Sequence, residues 1–127
     1  EDKNFSSILM IQKVEDDGTS SEEMNKIIRD KQKIEKILTM VEGLEVIETD
    51  KDEMIDALKS QDSYSFGFAE GKKFESAKPV PYTFTVLNDG TFFFTHKEVN
   101  SIQQPRMSIK KHKELLNEMK QLLEVDF

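Results

Sequence analysis

Cysteine is absent from this chain of 127 residues. Disulfides, thiolate metal sites and cysteine nucleophiles are therefore excluded. The chain also has only five glycines and three prolines, and its apolar residues follow regular patterns, which argues against general disorder. No apolar run exceeds a few residues, the run Ile8–Ile11 being typical, so the sequence predicts no segment that spans a bilayer.

Positive charge is also in short supply. The 18 lysine and arginine residues face 25 acidic residues, which gives a formal net charge of -7. Because nucleic-acid binding depends on cationic contacts to phosphate, this charge disfavours a nucleic-acid partner and, for the same reason, an anionic membrane surface. The length suits one domain, and we expect a single domain over residues 1–127 with a polar tail at residues 1–4.

Nine of the eleven aromatic residues lie between Tyr64 and Phe94. From Tyr64 to Ala69 every second side chain is aromatic and every intervening one is small, which is the pattern of a strand with two different faces. One face can then pack into a core, while the other carries only small side chains or lies under another element. The run Tyr82–Leu87 repeats the alternation with threonines on its second face, and Thr91–Thr95 follows.

The segment Asn88–Gly90 predicts a hairpin turn between these last two runs. A two-residue loop would mix aromatic and polar side chains on both faces. A three-residue loop, with its glycine in the left-handed conformation, instead pairs Val86 with Phe92 and Phe84 with Phe94. We predict this second register because it collects the apolar side chains on one face and the threonines on the other.

Periodicity outlines the other elements. The predicted strands outside the aromatic stretch are Phe5–Ile11 and Met24–Ile28, with Leu44–Ile47 as a connector or short strand. Three helices are expected: one capped by Asp30 and ending at Gly43, one with a capping box of Thr49 and Asp52, and one of about sixteen residues from Ser108. The prediction is an α+β fold, a single antiparallel sheet of about five strands packed by two or three helices, with a more curved, partly closed sheet as the alternative.

No motif predicts a catalytic, metal or cofactor site. The segments Asp16–Gly18 and Asp50–Asp52 cluster oxygen atoms, but neither has the ligand spacing of an EF-hand, so a turn and a helix N-cap are the preferred interpretations. His96 and His112 are far apart in sequence and form no recognised ligand pair. The sequence also lacks a Gly-x-Ser-x-Gly elbow and a glycine-rich phosphate loop.

Two weaker candidate sites remain. Arg106, Lys110 and Lys111 crowd the predicted start of the last helix, where backbone N–H groups and cations could together bind an anion. The alternative is a solvated face whose lysines pair with acidic residues across the fold. Phe93 and Phe74 do not fall on the predicted core face, so each is a candidate anchor for a protein partner, against the alternative that it is covered.

A polar tail, an early apolar strand, the segment Lys26–Ile34 and the hairpin Tyr82–Phe94 together resemble small domains of uncharacterised lipoproteins from Gram-positive bacteria. The resemblance implies export and tethering to the outer face of the cell membrane by a lipidated cysteine upstream of Glu1. A removed signal peptide would leave a start without methionine, as here. The resemblance implies no catalytic residues.

The sequence therefore favours a non-enzymatic, extracytoplasmic module that binds a protein or a small ligand through the sheet or its loops. One alternative is an enzyme that uses a carboxylate or His96 in an unfamiliar arrangement. A second is an inhibitor or immunity-type protein that neutralises a basic partner with the acidic loop Glu15–Glu23. A deep pocket that joins His96 to buried carboxylates would favour the enzyme.

Overall fold

The structure, a computed structural model, describes residues 8–19, 22–69, 82–98 and 101–125. The strands in this part of the chain are β1 (Ile8–Val14), β2 (Asn25–Ile28), β3 (Val46–Glu48), β4 (Ser63–Ala69), β5 (Tyr82–Leu87), β6 (Phe92–Glu98) and β7 (Ser101–Ser108). The helices are α1 (Lys31–Val41), α2 (Lys51–Ser60) and α3 (Lys113–Leu122), and a short 3-10 turn at Glu22–Met24 precedes β2.

The strands form one antiparallel sheet in the order β2-β1-β4-β5-β6-β7-β3. With the three helices this is an α+β fold, as predicted, but the sheet has seven strands instead of about five. The sequence interpretation missed β7 entirely and left β3 as one of two alternatives. It also ended β1 too early, since the strand continues to Val14, whereas residues 5–7 of the predicted strand lie outside the described residues.

The predicted hairpin register is confirmed. Val86 pairs with Phe92 and Phe84 with Phe94, across a three-residue loop. The backbone N–H of Gly90 donates to the Leu87 carbonyl at 2.8 Å, and Gly90 has a φ of 93°. This left-handed conformation is the one that the three-residue loop requires and that glycine adopts without a steric penalty.

The first two helices begin with side-chain caps. The Asp30 carboxylate accepts hydrogen bonds from the backbone N–H groups of Gln32 and Lys33, so the predicted N-cap of α1 is confirmed. The cap of α2 is Asp50, which accepts from the Glu53 N–H at 2.7 Å. The capping box was predicted at Thr49 and Asp52. The structure places the corresponding residues one position later, at Asp50 and Glu53.

The third helix is shorter than predicted. It spans ten residues from Lys113, because the residues up to Ser108 belong to β7 and not to the helix. Its first turn contains Lys113 and Glu114, whose charges act in opposite senses on the helix dipole, and its last turn contains Lys120, which is favourable.

The two faces of the sheet differ, and we call them the inner and the outer face. On the inner face, α1 and α3 pack against the aromatic side chains of the central strands. The residues that α1 contributes to this core are Ile34, Ile37, Leu38 and Val41, and those of α3 and the residues just after it are Leu116, Met119, Leu123 and Val125. Burial of this apolar surface is the main stabilising contribution to the fold.

The outer face carries the side chains that alternate with the core residues. Met10 of β1, Ser65 of β4 and Thr85 of β5 belong to it, and α2 lies against part of it. The described helices are also too short or too polar to cross a membrane.

Candidate functional site

A solvent-open groove lies between α2 and the outer face of the sheet, and we call it the outer groove. Its volume is about 510 Å³, which is within the range of small-molecule sites in proteins. It is built from four parts of the chain: the end of β1 with the turn that follows, α2, β4 and β5. It combines an apolar wall, a hydroxyl-bearing floor and an acidic rim.

The wall belongs mainly to α2. Ile55 and Leu58 are three residues apart and Lys59 follows directly, so the three side chains project from one side of the helix. Ile55 is 42% exposed, although large aliphatic side chains are usually buried. Val14 at the end of β1 adds a further apolar side chain to the lining. An apolar group that entered the groove would therefore remove exposed aliphatic surface from water.

The floor consists of short side chains from the central strands. Ser63 and Ser65 of β4 and Thr85 of β5 line it. They alternate with residues such as Phe66 and Phe84, which are buried in the core on the inner face. Because neighbouring residues of a strand point to opposite faces, the alternation that fills the core also leaves space and hydroxyl groups beneath α2.

The rim at one end is the acidic turn that follows β1, Glu15–Gly18. The Gly18 N–H donates to the Glu15 carbonyl at 2.8 Å, so the turn is closed by a backbone hydrogen bond. The Asp17 carboxylate accepts bonds from the hydroxyl and the N–H of Thr19, and these bonds hold the pKa of Asp17 below 3.8. The Asp16 N–H donates to the Asp62 carboxylate at 3.2 Å, which ties the turn to the residue before β4.

The helix that forms the wall is fixed at both ends. Just before α2, the Thr49 N–H donates to the carbonyl of Pro105 in β7 at 2.9 Å. Just after α2, Gln61 accepts from the Asp89 N–H at 2.9 Å and donates its amide to the Asp89 carboxylate at 3.2 Å. These hydrogen bonds attach α2 to β7 at one end and to the hairpin loop between β5 and β6 at the other.

Asp89 in the hairpin loop is the centre of one of these attachments. Its carboxylate also accepts from the Thr91 N–H at 3.0 Å and lies 3.5 Å from the Lys111 ammonium group. Partial burial raises the pKa of Asp89, but the bonds from Thr91 and Gln61 and the charge of Lys111 outweigh it. The net result is a pKa below 3.8, so the carboxylate is ionised at neutral pH.

We expect Asp89→Asn to destabilise the protein by about 1 kcal/mol at pH 7, since the carboxylate and its attraction to Lys111 are lost. A lowered pKa in the folded state means that the ionised group stabilises the fold above its unfolded pKa and that this contribution disappears as the pH falls through the folded value. The difference in the free energy of unfolding between wild type and Asp89→Asn should therefore become smaller as the pH falls below 3.8. Urea unfolding at a series of pH values measures it.

The control for this experiment is Glu118→Gln, which removes an exposed carboxylate from α3. It should change the free energy of unfolding by less than about 0.5 kcal/mol at every pH. If Asp89→Asn and wild type differ equally at pH 7 and at pH 3, ionisation of Asp89 makes no contribution to stability.

Of the residues of the predicted anion site, Lys110 and Lys111 directly precede His112, the N-cap of α3, whereas Arg106 does not lie at the helix start. Arg106 lies within β7, paired with Phe94 and Glu48, and α3 begins only at Lys113. Lys110 is exposed in the connection between them, and Lys111 pairs with Asp89. Pairing of a lysine with an acidic residue across the fold is the alternative that the sequence left open. Anion binding by Lys110 and Lys111 stays a prediction.

The two predicted partner anchors have different outcomes. Phe93 is only 2% exposed and lies on the outer face between Thr85 of β5 and Met107 of β7. It is not an exposed anchor, so the alternative that it is covered is the correct one; the strand β7, which lies beside it, was not foreseen. Phe74 lies outside the described residues.

The outer groove was not predicted from the sequence. The signal for its floor was present, because the small residues between the aromatic residues of β4 were interpreted as a thin or covered face. The signal for the wall was weaker: Ile55 and Leu58 follow a helical spacing that normally indicates core packing. Among the described residues that line the groove, none is a histidine or an aromatic residue.

Metal binding finds no support in the described ranges, where no three His, Asp or Glu side chains come close enough to hold an ion. Comparisons of the chain with protein-family models, curated proteins and solved structures find no match. The functional argument therefore rests on the geometry and chemistry of the outer groove, and the resemblance to lipoprotein domains rests on the sequence pattern alone.

Proposed function

We propose that this protein is a binding module that takes a small ligand with an apolar body into the outer groove. The observation that carries the proposal is a preformed groove of about 510 Å³ with an aliphatic wall and a floor of short hydroxyl side chains. Sites of this composition recognise ligands by apolar contact and use a few polar groups to orient them. Fixed attachments at both ends of α2 reduce the entropy lost on binding.

Binding is favoured over catalysis by the chemistry of the lining. General acid–base catalysis uses groups whose pKa lies near the working pH, most often a histidine or a buried carboxylate. The carboxylates at the outer groove, Glu15, Asp16 and Asp17, are exposed. An enzyme that uses His96 and an acidic inhibitor stay predictions from the sequence.

Location at the outer face of the cell membrane, with a lipid anchor upstream of Glu1, also stays a prediction from the resemblance. Such a location would open the outer groove to solutes outside the cytoplasm. A module of this kind would hold or deliver a ligand without changing it.

The proposal is tested with N-phenyl-1-naphthylamine, a neutral probe whose fluorescence increases in an apolar environment. We expect a saturable increase with one site per chain. Ser65→Phe places a ring on the floor of the groove and should weaken the probe's affinity about tenfold or more, since it occupies the volume that the probe needs. The matched control is Ile47→Ser, which removes a 51% exposed isoleucine from β3, outside the groove, and should leave the affinity unchanged.

Amide chemical shifts locate the probe in the same experiment. Changes that centre on Leu58, Ser65 and Thr85 would support the outer groove as the site. The proposal is wrong if the probe shows no saturable binding, or if folded Ser65→Phe binds it as tightly as the wild type does.

A further inference from the structure

We propose that the outer groove selects ligands that join an apolar body to a primary ammonium group, with the ammonium group seated at the acidic turn. This inference rests on the proposed function and adds the chemical class of the ligand. The sequence pattern suggested a basic protein partner for the loop Glu15–Glu23, but neither it nor the resemblance assigns a charge to a ligand of the outer groove.

Charge complementarity decides the polarity of the ligand. Three acidic residues, Glu15, Asp16 and Asp17, line one end of the outer groove, and one basic residue, Lys59, lines the helix wall. In the described part of the chain, none of the three carboxylates forms an ion pair, since the nearby Lys13 pairs with Asp62 instead. A cation at this end would meet negative charge that the described residues leave uncompensated.

The turn is rigid enough to present this charge. Its backbone bond between Gly18 and Glu15 and the bonds from Thr19 to the Asp17 carboxylate fix the backbone and one carboxylate. The bond from the Asp16 N–H to Asp62 holds the turn near the start of β4, where the floor of the groove begins. A bound cation therefore orders few additional groups, which favours binding.

The kind of cation follows from the groups beside it. Quaternary ammonium ligands are held mainly by the faces of aromatic rings. The described lining of the outer groove contains no aromatic residue, but it offers carboxylates at the rim and the hydroxyl groups of Ser63, Ser65 and Thr85 on the floor. These groups accept hydrogen bonds, and a primary ammonium group has three N–H donors for them.

Three probes with the same ten-carbon chain separate charge from apolar contact: decylammonium, decanol and decanoate, each titrated below its aggregation concentration at pH 7. Affinity is measured by displacement of N-phenyl-1-naphthylamine and by amide shifts. We expect decylammonium to bind about fivefold more tightly than decanol, and decanoate more weakly than both. A fourth probe, decyltrimethylammonium, should bind little more tightly than decanol, since it has no N–H donor.

The double variant Glu15→Gln/Asp16→Asn removes two rim carboxylates and keeps Asp17, whose carboxylate accepts the bonds from Thr19. It should reduce the preference for decylammonium over decanol to about twofold or less. The matched control is Glu114→Gln/Glu118→Gln on α3, which changes the net charge equally but away from the groove and should keep the preference. A concentration of 0.5 M NaCl should weaken the preference in wild type.

The outcomes distinguish the two proposals. If none of the probes binds in the outer groove, the proposed function is wrong. If decanol and decanoate bind there as tightly as decylammonium, the groove is a binding site and the charge selectivity is wrong. If both double variants lose the preference for decylammonium equally, the preference depends on the net charge of the protein and not on the rim. This result would also overturn the inference.

Discussion

Replacement of Gly90 by alanine is expected to destabilise the protein by about 3 kcal/mol. Gly90 has a φ of 93°, a conformation that strains any residue with a Cβ atom. A Cβ atom at this position would also lie only 2.7 Å from the Cα atom of Lys113 and would overlap the peptide between His112 and Lys113. The backbone at the start of α3 cannot move away without breaking the hydrogen bond from the His112 N–H to the Gly90 carbonyl.

Gly43→Ala is the matched control for this experiment. Gly43 has nearly the same conformation, with a φ of 82°, but no atom lies within 4 Å of the position that its Cβ atom would occupy. It should cost only about 1 kcal/mol, so the difference between the two variants isolates the close approach of α3. Urea unfolding measures both. Equal destabilisation of the two variants would show that the close approach of α3 to Gly90 adds no steric cost.

Phe84→Ala should destabilise the fold by about 4 kcal/mol, a large fraction of the stability of a small domain. Phe84 lies at the centre of the inner face, and its ring stacks on that of Phe66 with centroids 4.8 Å apart. The rings of Phe68, Phe92 and Phe94 surround it at 5.6 to 5.8 Å. Loss of the ring would leave a cavity whose rigid aromatic lining can close only in part.

Thr83→Ala, one position earlier in β5, provides the comparison because its side chain belongs to the outer face. It should cost less than about 1 kcal/mol. If Phe84→Ala does not fold, Phe84→Leu is measured instead. We expect its loss of stability to lie between those of Thr83→Ala and Phe84→Ala. A loss below about 1 kcal/mol for Phe84→Ala in chemical unfolding would mean that the aromatic cluster is not the main core.

The hairpin could be predicted from the sequence because its register depends on neighbouring residues. Only one loop length places Phe84 opposite Phe94 and Val86 opposite Phe92, and a glycine stands where that loop needs a left-handed residue. The N-cap of α1 is local in the same way, since a carboxylate at Asp30 satisfies the N–H groups two and three positions later.

The strand β7 could not be predicted because its residues do not suit a strand by themselves. Gln103 and Gln104 offer no apolar alternation, and Pro105 lacks the N–H group of an ordinary strand residue. The strand forms because it has a partner on each side, with Met107 opposite Phe93 on β6 and Ile47 on β3. Pairing between distant segments thus overrides the local preference, and the misplaced start of α3 follows from the same error.

The outer groove was beyond sequence analysis for a related reason. Ser65 and Thr85 indicate a thin face, but nothing local indicates that α2 would lie over it or that the acidic turn would close one end. Those placements depend on attachments between residues far apart in sequence, Thr49 with Pro105 and Gln61 with Asp89. The chemistry of each piece could be predicted, and their assembly into one site could not.

The order of the strands also has a consequence for the solubility of the folded chain. The segment Phe92–Phe94 is apolar, uncharged and free of proline, which are properties of segments that assemble between molecules when their backbone is unpaired. Here it lies in β6, between β5 and β7, while the outermost strands in the described part of the chain are β2 and β3, of only four and three residues. Short edges that carry Lys26 and Glu48 offer little template for another molecule. The strand β7, which contains Pro105 and was not predicted from the sequence, thus pairs with the backbone of β6 and disfavours self-association.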